Sequence, residues 1–183
     1  MAKRVTASAL IPHLLPEAFQ TETSAAVHCS READRLGATA PGRAMREIAA
    51  HARRTLPELE RLATARGQRA ARKGSVIGRM FSNVRSYGTD LLLSVEKSYR
   101  GTLHGVHHAI GTFSFLEDVA IAIGDQELAD FCASWLSERK RLMEEAESDI
   151  AWFADHPAIA LSRTKPPVVA KLRPIRATVQ PST

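Results

Sequence analysis

Three histidines lie close together in the sequence His104-Gly-Val-His107-His108. Side chains four positions apart share one face of a helix, so His104 and His108 would lie one turn apart. Two imidazoles at this spacing chelate Zn²⁺, Ni²⁺ or Cu²⁺ well. The spacing therefore predicts a two-histidine metal site on a helix. The alternative is that His104 and His108 lie on the surface or at a subunit contact, while His107 points into the core.

A second candidate metal site consists of acidic and aromatic side chains on predicted core faces. Glu96 shares a helical stripe with Tyr99 and His107. Glu22 lies near the apolar face of an earlier segment, and Asp149 is expected opposite Glu96 on a later one. A buried carboxylate must be paired or bound to a metal, because its charge is costly to remove from water. These five residues predict an iron or zinc site. The alternative is that each carboxylate pairs with an arginine or accepts a hydrogen bond from a tyrosine.

Four amphipathic segments are predicted to be the helices that position these side chains. Apolar residues recur at helical spacing over residues 16–36, 42–66, 90–122 and 126–156. The last two segments meet at a short turn around Gly124 and form a long antiparallel hairpin. The links are short, long and short in order, with a crossover at residues 67–89 that contains one short helix. This order predicts an all-α, four-helix bundle in which a long crossover joins two antiparallel hairpins.

The predicted domain organisation is an irregular N-terminal arm, a bundle and a disordered tail, at residues 1–16, 17–156 and 157–183. Pro16 argues against a regular helix before it, because proline lacks a backbone N–H. The tail is rich in proline and in basic residues, a composition typical of extended or disordered chain. Pro57 lies inside the second helix and is predicted to kink or split it.

The helical pattern also predicts which side chains face the core. The inward face of the first helix is predicted to hold mostly small residues: Phe19, Thr23, Ala26, Ser30, Ala33 and Leu36. His28 and Glu32, one turn apart, rotate away from that face. Arg139 projects from the centre of the fourth helix's apolar stripe and is predicted to pair with an acid, inside the bundle or at an interface. Cys29 and Cys132 each fall on an apolar helix face and are predicted to be buried free thiols.

The formal net charge of +5 is unevenly distributed. The tail from Arg163 onward carries five basic residues and no acidic residue, and a second acid-free basic run covers residues 66–85. Such clusters can bind phosphate or an acidic partner, so the tail is a candidate for contact with an acidic protein or a nucleic acid. No stretch approaches the roughly 20 apolar residues of a membrane helix. The sequence therefore predicts a cytoplasmic protein without a membrane segment.

Three short motifs lie in the predicted third helix, in the turn after it and in the fourth helix: Glu96-Lys-Ser-Tyr99, Ile123-Gly124-Asp125 and Met143-Glu-Glu-Ala-Glu147. Together with the order of links, they make residues 17–156 resemble the ferritin-like superfamily, and its small bacterial stress-type members more than the cage-forming ferritins. The resemblance implies a di-iron centre that takes one glutamate from each of two helices and Glu-x-x-His from each of the others. No glutamate in this chain is followed three positions later by histidine. Trp152 stands in the register where one of those histidines is expected.

The sequence predicts a non-catalytic, ferritin-like helical-bundle protein that is stress- or assembly-associated and homo-oligomeric. One alternative is a metal-binding oxidative-stress bundle that uses an unusual carboxylate and histidine site. The other is a nucleic-acid-associated protein that acts through the basic crossover and the tail. The chain contains no phosphate-binding loop, nucleophile elbow or Cys-x-x-Cys pair, so no motif predicts an enzymatic activity.

Overall fold

The computed structural model describes residues 6–68 and 93–163. Every regular element in these two ranges is helical, which confirms the predicted all-α class. A 3-10 turn at Ala7–Leu10 precedes six α-helices: α1 (Ile11–Leu36), α2 (Ala40–Ala65), α3 (Val95–Ile123), α4 (Gln126–Ser148), α5 (Ile150–Asp155) and α6 (Pro157–Ala160). None of these helices is long and apolar enough to cross a membrane.

Helix α1 begins earlier than predicted, at Ile11, and Pro16 lies inside it. Pro12 occupies the first turn, where its missing N–H has no helical partner to lose. Pro16 forfeits a single backbone hydrogen bond, and the buried side chains of Ile11 and Leu15 offset this loss by packing on the core. The predicted irregular arm at residues 1–16 is therefore wrong from Ile11 onward.

Helix α2 is one uninterrupted helix, although Pro57 lies inside it. Pro57 is exposed, while Thr55 and Leu59 on either side of it are buried. The contacts of these flanking residues hold both halves of the helix against the core, so the predicted split at Pro57 is wrong. Thr39 caps the start of the helix, because its hydroxyl accepts a hydrogen bond from the backbone N–H of Gly42.

Glycines allow the two tight turns that join α1 to α2 and α3 to α4. Gly37 has φ +63° and Gly124 has φ +72°, conformations that side chains with a Cβ rarely adopt. A Cβ on Gly42 would lie 2.5 Å from the carbonyl oxygen of Gly37, so α2 starts very close to the end of α1. Asp125 then caps α4 by accepting a hydrogen bond from the N–H of Leu128. The predicted short turn around Gly124 is confirmed.

Two hydrophobic clusters show how the four long helices run. The first cluster joins the C-terminal half of α1, the N-terminal half of α2, the N-terminal half of α3 and the C-terminal end of α4. The second cluster joins the opposite halves of the same helices. Helices α1 and α4 therefore run in one direction, and α2 and α3 run in the other. Both α1 and α4 pack mainly against α2 and α3, so α1 and α4 lie diagonally opposite each other.

Short helices α5 and α6 extend the structure beyond α4. Phe153 on α5 and Ala160 on α6 are buried in the first hydrophobic cluster. The backbone N–H of Val95 donates to the carbonyl of Ser162 at 3.0 Å, which satisfies a donor at the first turn of α3. The predicted start of the disordered tail at residue 157 is therefore wrong. Residues 164–183 lie outside the described residues.

Candidate functional site

A charged pair is fully buried where the four long helices meet. Glu22 on α1 and Arg139 on α4 both have 0 % solvent exposure. Nη2 of Arg139 donates to both carboxylate oxygens of Glu22, at 3.0 Å and 2.8 Å. Because α1 and α4 are diagonal neighbours, this ion pair crosses the middle of the structure. The prediction that Arg139 pairs with an acid is confirmed, and the acid lies inside the same chain.

Two further side chains complete this site. Nε1 of Trp135 donates to Oε2 of Glu22 at 3.1 Å, and Nε of Arg139 donates to Nδ1 of His51 at 3.1 Å. The guanidinium carbon of Arg139 lies 4.9 Å from the centroid of the Trp135 ring, a cation–π contact. Phe113 stacks on Trp135 with the ring centroids 3.6 Å apart. We call Glu22, His51, Trp135 and Arg139 the central cluster.

The sequence of α1 makes room for the central cluster. Glu22 lies on the buried stripe of α1 between two alanines, Ala18 and Ala25. These small neighbours leave space for the long side chains of Trp135 and Arg139, which reach across from α4. Buried aromatic and alkyl carbons surround the charges, so the ion pair lies in a low-dielectric environment. The electrostatic attraction between Glu22 and Arg139 is stronger there than it would be in water. The geometry of the pair is therefore set by core packing.

Burial changes the ionisation of the central cluster. It raises the pKa of Glu22, an effect that the Arg139 charge and the Trp135 hydrogen bond oppose. It lowers the pKa of Arg139, opposed mainly by Glu22. Burial also lowers the pKa of His51 to about 4, and the Arg139 charge acts in the same direction. His51 is therefore neutral near pH 7, with Nδ1 as hydrogen-bond acceptor and the proton on Nε2.

Cys29 lies on the same stripe of α1 and is fully buried. Burial raises the pKa of its thiol to about 12, and the charge of Arg139 only partly opposes this shift. Burial likewise raises the pKa of Cys132 to about 12. A thiolate, and not a thiol, is the nucleophile in cysteine chemistry. Both cysteines are thus buried free thiols, as predicted, and neither is poised to react.

The residues of the predicted carboxylate metal site do not converge, because each of them contacts a different partner. Glu22 binds Arg139, whereas Glu96 pairs with Arg100 near the start of α3. The hydroxyl of Tyr99 is buried and donates to the carbonyl of Ala146 on α4 at 2.7 Å. These contacts correspond to the alternative in which arginines neutralise the carboxylates, although the acceptor for Tyr99 is a backbone carbonyl.

Asp149 also lies apart from Glu22. It follows α4 as its C-cap residue, and burial raises the pKa of its carboxyl, opposed by the charge of Arg43. Within residues 6–68 and 93–163, no group of three or more His, Cys, Asp or Glu side chains is arranged to hold a metal ion. The described residues therefore do not fit the predicted iron or zinc centre.

The three histidines of α3 all lie on its exposed side. Nε2 of His107 lies 2.6 Å from a carboxylate oxygen of Glu147 on α4, and its side chain is 50 % exposed. The prediction that His107 points into the core is therefore wrong, because the buried stripe of α3 passes beside it. Nε2 of His108 lies 3.3 Å from a carboxylate oxygen of Glu17 on α1. His104 is exposed, so the predicted surface positions of His104 and His108 are confirmed.

Glu32 on α1 is a second buried acid, and its burial was not predicted from the sequence. Glu32 is 4 % exposed, and its Oε1 accepts hydrogen bonds from the hydroxyl of Ser98 and from Nη1 of Arg35, both at 2.6 Å. The prediction that Glu32 rotates away from the core is wrong. A signal for its burial was present, because Glu32 continues the stripe of Glu22 and Cys29 at helical spacing. This acid links α1 to the first turns of α3.

The fold and the central cluster define an all-α protein whose centre is closed by an internal ion pair. Comparison with protein-family models, curated proteins and solved structures found no match to this chain.

Proposed function

We propose that this chain is a non-catalytic, ferritin-like helical-bundle protein that acts through association with other proteins, in a stress- or assembly-related role, and is homo-oligomeric. The directions of the helices support the ferritin-like part. Because α2 and α3 are parallel, Gln68 after α2 and Leu93 before α3 lie at opposite ends of the helices, as the two ends of a long crossover do. One such crossover between two antiparallel hairpins is characteristic of ferritin-like folds.

The ion pair at the centre supports the non-catalytic part. In ferritin-like di-iron proteins, inward-facing glutamates and histidines hold the metals at the middle of the bundle. Here the inward glutamate of α1 binds the guanidinium of Arg139, and His51 accepts a hydrogen bond from the same side chain. A fixed cation therefore already neutralises the carboxylate and engages the imidazole. This arrangement is the single observation on which the proposal depends most.

Metal loading tests the proposal. Tag-free protein is incubated with Fe(II) under anaerobic conditions or with Zn(II), desalted, and analysed for bound metal by elemental analysis. We expect no stoichiometric metal in the wild-type chain or in Glu22→Gln. Stoichiometric iron that is lost in Glu22→Gln or Glu96→Ala would contradict the proposal and support the oxidative-stress alternative. Zinc that is lost only in His104→Ala would locate a surface site and would leave the central cluster without metal.

The nucleic-acid alternative depends on residues that are mostly outside the described ranges. Arg66, the first member of the basic run, forms a forked ion pair with Asp125 at 2.6 Å and 2.5 Å and also approaches Glu127 at 3.3 Å. These acids neutralise Arg66, so it holds α2 to the start of α4. The remaining basic residues of the run and of the tail after Arg163 are not described. A mobility shift with DNA that weakens as salt increases would favour this alternative.

A further inference from the structure

The middle of the side of α3 that faces away from the core carries no Lys, Arg, Asp or Glu. We call six exposed residues on it the outer face of α3: Arg100, His104, Gly111, Phe115, Asp118 and Ala122. They recur at spacings of three, four or seven residues, so they form one stripe along the helix. Residues 101–116 contain no Lys, Arg, Asp or Glu. The aromatic side chain of Phe115 is 48 % exposed.

Exposed ion pairs lie along the neighbouring helices, Arg61–Glu58 on α2 and Arg141–Glu138 on α4. The ion pair of α3, Arg100–Glu96, lies at its first turns, and the following residues 101–116 contain no Lys, Arg, Asp or Glu. Such charged pairs are typical of helix surfaces that contact water. A helix that presents neutral and aromatic residues on both of its sides is suited to burial on both sides. The outer face of α3 is therefore the best candidate for contact with another molecule.

Gly111 lies at the middle of this face. A glycine inside a helix costs about 1 kcal/mol relative to alanine. A Cβ added at Gly111 would meet no atom within 4 Å, so packing inside the chain does not require a glycine there. The missing side chain instead allows a second helix to cross closely at that point. Helices in contact have axes about 8–10 Å apart, the lower values being reached where side chains are small.

The charges on α3 indicate which helix would cross there. On the outer face, Arg100 and His104 precede Gly111 and Asp118 follows it; because Arg100 already pairs with Glu96, the complementary groups are His104 and Asp118. If a second copy of α3 runs antiparallel about a two-fold axis at Gly111, residues equally distant from Gly111 face each other. His104 and Asp118 are each seven positions away, so they would be opposed in both halves of the contact. A parallel pairing would instead place His104 against His104 and Asp118 against Asp118.

We propose that the outer face of α3 is the contact of a two-fold symmetric homodimer, in which two copies of α3 cross antiparallel at Gly111. This inference rests on the proposed function and names the surface that makes the protein homo-oligomeric. The same surface patch is used by both chains, as a two-fold interface requires. Phe115 of each copy lies four positions after the axis and meets His107 of the other copy, four positions before it.

Two glycines of α3 provide a matched test. Gly105 is also exposed, and a Cβ there also meets no atom within 4 Å, but it lies about 120° around the helix from Gly111. Gly111→Arg places two bulky cations at the two-fold axis, whereas Gly105→Arg adds the same side chain beside the contact. Neither change disturbs the interior of the chain. Sedimentation velocity and light scattering then measure mass, and circular dichroism checks that helicity is retained.

We expect wild type and Gly105→Arg to have about twice the chain mass of 20.0 kDa, and Gly111→Arg to have the mass of one chain. A monomeric wild type, a dimeric Gly111→Arg, or a monomeric Gly105→Arg would each overturn the proposal. A monomeric wild type would also contradict the homo-oligomeric part of the proposed function, whereas a dimeric Gly111→Arg or a monomeric Gly105→Arg would overturn only this contact surface. The non-catalytic part of the proposed function is tested separately by metal loading.

A disulfide trap tests the register directly. With axes about 8–10 Å apart and Cα atoms about 2.3 Å from each axis, the two Gly111 Cα atoms lie within about 6 Å of each other. This is within the range that a disulfide spans. Gly111→Cys should therefore form an intermolecular disulfide under mild oxidation, while Ser137→Cys on the exposed side of α4 should not. Native Cys29 and Cys132 are buried and do not compete. Equal cross-linking of both variants would contradict the register.

Discussion

The central ion pair makes the sharpest prediction about stability. Arg139→Met removes the cation and leaves Glu22 buried with the Trp135 N–H as its remaining side-chain donor. Removing one partner of a buried ion pair costs about 3–5 kcal/mol, because the other charge stays uncompensated in a low-dielectric environment. A domain of this size is typically stable by about 5–15 kcal/mol, so the loss is a large fraction of the total. With a urea m-value of about 2 kcal/mol/M, the midpoint should fall by about 2 M.

Two partner variants separate charge from packing. Glu22→Gln leaves Arg139 charged and unpaired, and we expect a similar destabilisation. The double variant Glu22→Gln, Arg139→Met buries no charge, so it should be clearly more stable than the sum of the two single losses predicts. Arg141→Met is the matched control, since Arg141 is on the same helix and its ion pair with Glu138 is exposed. Exposed pairs contribute little to stability, because water and salt screen their charges.

Urea unfolding at pH 7, followed by circular dichroism, measures all four variants. A loss of stability in Arg139→Met no larger than that in Arg141→Met would contradict the predicted cost of an unpaired buried charge. A double variant that loses the full sum of the single changes would show that the two charges are not coupled. A change in the m-value would show instead that the variant alters the compactness of the native or the denatured state, and not only the free energy of unfolding.

Two further predictions follow from burial. The pKa of His51 is about 4 in the folded chain and about 6.5 in the unfolded chain, so between these pH values only the unfolded chain binds the proton. The folded state should therefore lose up to about 3 kcal/mol of stability as the pH falls from 6.5 towards 4. Urea unfolding of wild type and His51→Asn, which keeps an acceptor but does not titrate, should show their stability difference changing over that range, and parallel curves would contradict this assignment. For Cys29 and Cys132, labelling with a thiol-specific reagent should be slow in the folded chain and fast in denaturant, whereas immediate labelling of the native protein would disprove their burial.

The sequence predicted the core face of α2 better than that of α1. On α2, the large apolar residues Met45, Ile48 and Leu59 follow the helical spacing of the sequence and are buried. On α1, Thr23 was placed inward and is exposed, while Glu22 beside it is buried. The reason is that large apolar residues define the pattern of α2, whereas α1 is rich in alanine and buries two glutamates. If every glutamate is assumed to lie on the surface, the predicted core face of such a helix is displaced by about one residue.

The central cluster was only partly predictable for a related reason. The sequence placed Glu22 near an apolar face and Arg139 at the centre of another, and both positions are correct. It could not show that these two residues meet, because their contact depends on the alignment of two diagonal helices that are far apart in the chain. His51 belongs to no recognisable motif, and only its distance from Arg139 reveals its part in the cluster.

The cost of burying charges indicates what the central cluster does for the fold. A well-packed apolar substitute for a buried ion pair is often as stable as the pair or more stable. The pair is, however, more selective, because only one alignment of α1 along α4 joins Glu22 to Arg139. A shift by one helical turn would leave both charges buried without partners. The rotation of α3 about its axis is not defined by its residue pattern alone, since small and apolar residues occur on both of its sides. The hydrogen bond from the Tyr99 hydroxyl to the Ala146 carbonyl fixes which side faces inward. We infer that the buried polar groups select one packing of the four long helices, in which the outer face of α3 is exposed and can contact a partner.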